Sequence, residues 1–308
     1  MKTENTHSTT QKKATMSTGE MVIPGVLRLA LPKSQDTLPL MFDSPHSGTF
    51  YPEDFNATLD KQILAQNHDT WVNELYSVSS SYGATWLEAL FSRNYIDPNR
   101  NITDIDPKLL DNSSIHTPLP EPKTSSQLGR GLLWRMLPTG EPIYSRQISN
   151  EEIKTRIKNY YHPYHDLLRQ HIMKLHKQFG QVWHVNCHSM PSVSGKMSPD
   201  GIAGIQRPDF ILGNHNGASC DQEFTQLIHQ TLREMGYQVT ENIPYKGEEL
   251  TSAYSKPILG FNSIQIEVNR ALYMNEVTRE KHEGFDILRD NLEQLICRIV
   301  NYTSARIT

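Results

Sequence analysis

Four short apolar runs, at residues 38–42, 84–96, 182–187 and 264–268, alternate with stretches whose apolar side chains recur every three to four positions. This alternation is the pattern of an α/β sheet with helices on its faces, since each strand hands the chain to an element that must cover the sheet. The helices have legible ends. Asn150 can cap one that turns Ile153, Ile157, Tyr161, Tyr164, Leu168, Ile172, Leu175 and Phe179 inward, breaks or bends at Pro163 and stops at Gly180. Asp221 caps a second, with Phe224, Leu227, Ile228, Thr231 and Met235 inward and Gly236 as its stop. A third presents Phe285, Leu288, Leu292, Leu295 and Ile299.

A chain of 308 residues builds a core of this kind without staples, so residues 22–308 read as a single domain preceded by a disordered polar tail at 1–21. The net charge of −4 offers no basic surface for nucleic acid or an anionic membrane, which leaves a small molecule as the expected partner. Three cysteines without CxxC spacing indicate neither a disulfide framework nor a cysteine zinc site, and the reducing cytoplasm is the expected compartment. The N-terminal segment lacks an apolar signal core, and no window is apolar enough to span a membrane. Residues 104–141, rich in Pro, Ser and Gly, form a loop too long for an ordinary connection, as expected of a functional lid or a disordered segment.

The residues at the ends of the strands carry the chemistry. "FDSPHSGTFYP" places His46 among turn formers, "FSRNYIDPNRN" ends with Arg93, Asp97, Asn99 and Arg100, "QVWHVNCHSMPS" delivers His188, and "SIQIEVNRALYM" sets Glu267 between Ile266 and Val268. Open α/β sheets bind ligands at the carboxyl ends of their strands. Singly, each of these residues reads as an ordinary turn or surface group, but a carboxylate in strand sequence is costly to bury without a partner or a cleft. Together, two neutral imidazoles and a carboxylate suit a hydrolytic zinc ion with one position open to water. His46 and His188 are then the ligands, Glu267 the base for the water, and Arg93 a donor to the oxyanion. Cys187 points to the opposite face of its strand from His188 and reads as a buried hydrophobe rather than a nucleophile.

In order, "SPHSGTFYP", "SRNYIDPNRN", "GLLWR", "YYHPYHDLL", "CHSM", "DFILGNHNGASC", "NIPYKGEEL" and "IQIEVNRALYM" resemble the N-formylglutamate amidohydrolase family over about residues 45–274. The family is similar to the zinc carboxypeptidases and aspartoacylases. This implies a mixed, mostly parallel sheet flanked by helices on both faces, and one zinc ion per chain. The resemblance further implies that Arg93 polarises the scissile carbonyl, that Asn99 and Arg100 bind the substrate α-carboxylate, that His188 is the late zinc ligand and that Glu267 is the catalytic glutamate. The implied substrate is N-formyl-L-glutamate or a close N-acyl acidic amino acid. Its two carboxylates need cations, for which Arg100, Lys246, Arg130, Arg135 and Arg270 lie in or near the motifs, with Lys246 assigned to substrate binding beside Arg100.

Two positions depart from the pattern. Carboxypeptidase-type sites place a glutamate three residues after the first histidine, where this chain has Thr49. Asp69 is expected to supply that ligand in preference to Glu53 or Asp54, although it also reads as a helix N-cap. Glu248 stands where a second glycine is more usual, and it would disfavour a dianionic substrate if it faced the cleft. The alternatives are a deacylase or carboxypeptidase-like hydrolase of another N-acyl amino acid or short peptide, and a metal-free binder of an acidic metabolite.

Overall fold

The computed structural model describes residues 14–111, 124–199 and 201–307. Residues 1–13 of the expected tail and the middle of the 104–141 loop lie outside the described residues. Among the described residues, nine strands form one sheet: β1 (Thr15–Ser17), β2 (Glu20–Ile23), β3 (Leu27–Ala30), β4 (Leu40–Ser44), β5 (Thr85–Ala89), β6 (Val182–Met190), β7 (Phe210–Gly213), β8 (Val239–Glu241) and β9 (Phe261–Asn269), in the order β1-β2-β3-β5-β4-β6-β9-β7-β8. Parallel pairings join β5, β4, β6 and β9 at the centre, and β7 with β8 at one edge. The remaining pairings are antiparallel, so the sheet is mixed but parallel mainly at its centre. The short connections joining β1 to β2 and β2 to β3 permit only antiparallel neighbours.

The tail expected at 1–21 gives way to structure before Met21. β1 and β2 pair as a hairpin, β2 pairs with β3, and Glu20 forms an ion pair with Arg28. Sheet pairing satisfies the main chain of such an edge whatever its apolar content, so composition did not reveal it.

One core cluster includes Met41, Leu87, Tyr164, Leu168 and Ile172, and the other includes Phe42, Val185, Cys187, Ile266, Phe224, Leu292 and Ile296. Each fully buried Leu, Ile or Phe contributes about 1.5–3 kcal/mol. On the first side lies the helical run Asn150–Arg156, Ile157–Tyr161 and His162–Phe179, and on the second lie the helices Gln222–Glu234 and Gly284–Ser304. Ser149 rather than Asn150 caps the long run, accepting from the N–H of Glu152. The run continues past Pro163 because the stretch just ahead of it, Ile157–Tyr161, widens to a π-turn, which accommodates the missing N–H. Asp221 caps as expected, accepting from Phe224 N–H at 2.7 Å. Among the described residues, no helix is long and apolar enough to cross a membrane.

The central strands have two unlike faces. Trp183, Val185 and Cys187 of β6 and Ile264, Ile266 and Val268 of β9 belong to the second core cluster. The alternate positions are His184, Asn186 and His188 on β6, and Ser263, Gln265 and Glu267 on β9, all buried. Register aligns Asp43 of β4 with Asn186, Asn186 with Gln265, and His188 with Glu267. A buried polar ladder therefore runs along one face toward the carboxyl ends of the parallel strands.

Candidate active site

The turn after β4 accounts for the Ser-Pro-His-Ser-Gly stretch. A Cβ at residue 48 would lie 2.3 Å from the carbonyl oxygen of Phe91, so only glycine lets this turn press against the chain leaving β5. Asp69 N–H donates to the carbonyl oxygen of His46 at 3.0 Å, and Ser47 Oγ donates to the carbonyl oxygen of Asp69 at 2.9 Å. The loops bearing His46 and Asp69 are thus fastened to each other, and His188 joins them from β6.

Asp69 Oδ2 lies 3.4 Å from His46 Nδ1 and 2.9 Å from His188 Nδ1, with all three residues buried. The partners of the far ring nitrogens fix the tautomers. His46 Nε2 is 2.7 Å from Asp97 Oδ1, and an ionised carboxylate only accepts, so the proton sits on Nε2. His188 Nε2 is 2.6 Å from Asn186 Oδ1, whose orientation is set because Asn186 Nδ2 donates to Asp43 Oδ1 at 2.6 Å. Both imidazoles therefore present an Nδ1 lone pair to the Asp69 carboxylate. His46 Nδ1 has no hydrogen-bond partner among the described residues. Three buried lone-pair donors facing one point without a proton between them fit a divalent cation of the kind held by neutral imidazole and carboxylate.

The surroundings hold this donor set in place. Burial alone would raise the Asp69 pKa, but its setting between His188 and His46 outweighs it and keeps the carboxyl well below its ordinary range. Asp97 is depressed in the same way, burial being outweighed by His46, Arg93 and Arg100. Arg270 donates to Asp69 Oδ1 at 3.0 Å and to Ser189 Oγ at 3.0 Å. Deeper in the ladder, Asp43 also accepts from Tyr164 at 2.7 Å and lies 3.0 Å from His184 Nε2.

Glu267 stands beside His188 across the β6–β9 register and, among the described residues, accepts one hydrogen bond, from Gln265 Nε2 at 2.9 Å. Burial first and the Asp69 charge second push its pKa up to about 8, against the pull of Arg93 and Arg270. Arg93 donates to Asp97 Oδ2 at 2.9 Å, comes within 3.9 Å of Asp69 Oδ1 and lies 4.7 Å above the Trp134 ring. Asn99 Oδ1 accepts from Leu250 N–H, which turns its amide nitrogen toward His188 Nε2 at 3.2 Å. That contact pairs two donors, so the Asn99 amide remains available to an acceptor in the cleft. Arg100 donates to the carbonyl oxygens of Asn99 and Arg130 and lies 3.6 Å from the half-exposed Glu248.

His46, Asp69, Arg93, Asn99, His188 and Glu267 thus come together, with Arg100 adjoining them through Asn99. Lys246, expected to bind substrate, is not joined to them: its side chain is exposed, and among the described residues no hydrogen bond or ion pair ties it to the cluster. Glu53 and Asp54 are exposed, and Asp54 accepts from Tyr95 instead. Asp69 does not cap a helix, because the helix Val72–Tyr76 begins after Trp71 in a left-handed conformation, which leaves both carboxylate oxygens for the site. Arg270 and Arg135 are committed to Asp69 and Asp106. Sequence alone assigns no role to Asp97, Asn186, Asp43 or His184, although the period-two spacing of 184, 186 and 188 marks one strand face.

The sequence model of the N-formylglutamate amidohydrolase family matches residues 38–274, a span that holds every residue of the cluster. An N-formylglutamate deformylase of Pseudomonas putida is 30% identical over 251 residues, covering 79% of this chain and 84% of that protein. One from Pseudomonas aeruginosa is 28% identical over 243 residues, covering 78% and 83%. The crystal structure of N-formylglutamate amidohydrolase from Ralstonia eutropha JMP134 shares 41% identity at a TM-score of 0.86, covering 91% of this chain and 99% of that one.

Proposed function

Because the chain belongs to the N-formylglutamate amidohydrolase family, we propose that it hydrolyses the amide bond of N-formyl-L-glutamate to formate and L-glutamate with one zinc ion per chain. The observation that carries this reading is the convergence of His46 Nδ1, Asp69 Oδ2 and His188 Nδ1 beside Glu267. These three residues would hold the ion. When bound, zinc supplies Lewis acidity, which brings the pKa of a water toward about 7 and polarises a carbonyl.

The remaining work falls to side chains of the cleft. Glu267, with a single amide donor on its carboxylate, takes the proton of the attacking water and passes it to the amine nitrogen as the C–N bond breaks. Arg93, braced by Asp97 and Trp134, donates to the oxygen that gains charge on the formyl carbon. Arg100 grips the α-carboxylate with two parallel N–H groups, assisted by the Asn99 amide. The water oxygen leaves in formate and the nitrogen in glutamate.

Glu248 favours a second reading within the same chemistry, a deacylase for an N-acyl amino acid with one carboxylate, because it already faces Arg100. Zinc-loaded protein assayed for amine release from N-formyl and N-acetyl derivatives of glutamate, aspartate, glutamine and leucine separates the two. Highest kcat/KM on N-formyl-L-glutamate is expected. A preference for a monoacidic substrate selects the second reading, and full activity without bound metal overturns the zinc mechanism.

A further inference from the structure

The cations around the cleft are mostly matched by carboxylates: Arg270 with Asp69, Arg135 with Asp106, Arg93 with Asp97, and Arg100 with Glu248 at 3.6 Å. Arg130 forms no ion pair among the described residues. Its Nη2 donates to the carbonyl oxygen of Met197 at 2.6 Å, and its Nε is buried without a hydrogen-bond partner among the described residues.

Arg130 nevertheless stands against the reaction site. Its carbonyl oxygen accepts from Arg100 Nε at 3.1 Å. It bridges in antiparallel fashion to Trp134, the same ring that lies under Arg93 and donates to Asp97 at 3.1 Å. The loop bearing Arg130 is therefore part of the wall that positions Arg93 and Arg100. Burial first, then repulsion from Arg100 and Arg93, lowers the Arg130 pKa to about 10, with Tyr245 and Glu248 opposing in part. A largely desolvated guanidinium beside two others costs free energy that an arriving anion relieves. Nε is buried, but Nη1, which donates to no described residue, and the second N–H of Nη2 leave the outer edge of the guanidinium matched to a carboxylate.

We propose that Arg130 determines specificity by binding the second, side-chain carboxylate of an N-acyl dicarboxylic amino acid while Arg100 holds the α-carboxylate. This rests on the amidohydrolase reading of the cleft and deepens it by naming the group that distinguishes glutamate from glutamine. Glu248 remains half in solvent and beyond direct hydrogen-bond range of Arg100, so it narrows the cleft without filling the place of this second carboxylate.

The test is calorimetric titration of the zinc-loaded full chain with L-glutamate and L-glutamine, which match in shape and differ in one charge. Wild type is expected to prefer glutamate by about tenfold or more. Arg130→Met should erase that preference while leaving glutamine affinity within about twofold, and Arg130→Lys should restore only part of it. Wild type without a preference, Arg130→Met that keeps it, or equal loss of both ligands overturns the proposal. Zinc content and thermal midpoint identify folded variants, and should the Met variant not fold, the partial loss in Arg130→Lys decides. Hydrolysis of N-formyl-L-glutamate by the same preparations reports on the reaction separately: wild type that discriminates the charge but does not cleave this substrate overturns the proposed function and leaves the role of Arg130 standing.

Discussion

His46 Nε2 and Asp97 Oδ1 lie 2.7 Å apart at a buried point, and that bond turns the unprotonated Nδ1 of His46 toward Asp69. The carboxylate that sets the tautomer is itself held by Arg93, Trp134 and the N–H of Asn99. The proposed metal ligand His46, the proposed carbonyl donor Arg93 and the main chain of Asn99 therefore share one anchor.

Asp97→Asn tests that anchor. The variant keeps the shape but can offer His46 an N–H in place of an acceptor, so zinc affinity should fall about 10- to 100-fold in a folded protein. Competition with a chromophoric chelator measures it, and unchanged affinity removes Asp97 from the support of His46.

Asp69→Asn removes the anionic donor and also the charge that Arg270 pairs with. Weaker zinc retention is expected, together with a loss of about 3–5 kcal/mol, since the partner charge is left buried. Denaturation of the metal-free protein isolates the second effect. A variant as stable as wild type and fully loaded with zinc contradicts both.

Glu267→Gln preserves shape while removing the proton acceptor. Turnover per zinc-loaded molecule should fall roughly 10²–10⁴-fold or more with little change in KM. Arg270 is spent on Asp69, so a purely structural pairing of Glu267 with Arg270 is not the arrangement present. Near-normal kcat in the folded fraction would falsify the assignment of Glu267 as base.

Glu248→Gly withdraws a negative charge 3.6 Å from Arg100. Because Glu248 is half exposed, the gain is small: KM for N-formyl-L-glutamate should drop about two- to fivefold, and less at high salt. A rise in KM points instead to Glu248 as a group that orders Arg100.

Acid should destabilise the fold through His165. Burial pushes its pKa down to about 4 from 6.5, while Pro98 O and Tyr254 Oη lie 2.8 Å from its ring nitrogens. The folded state thus binds its proton later than the unfolded chain. The stability tied to neutral His165 is complete above pH 6.5 and is lost as pH falls toward 4, at up to about 1.4 kcal/mol per pH unit. His165→Gln should flatten denaturant midpoints over that window, and an identical pH slope in the variant argues against this source.

Local pattern was enough to place His46, His188 and Glu267 at strand ends and to set Cys187 on the opposite face from His188. Strand alternation and turn chemistry act between chain neighbours, so they can be read without knowing what packs against them. The choice of Asp69 over Glu53 and Asp54 has a different basis. It depends on a main-chain bond from Asp69 to His46 across the chain, and on Arg270 arriving from the far end of β9 to hold the second oxygen. The exposed Lys246 has the same basis, since a cation inside a motif still needs the fold to turn it inward. The antiparallel half of the sheet, the β6–β9 register that sets Glu267 beside His188, and the approach of Arg130 to Arg100 are likewise pairings between distant segments. Neighbouring residues thus dictate which side chains stand at the ends of strands, whereas folding selects which of them meet, because register and loop contact are properties of two segments and are written in neither one alone.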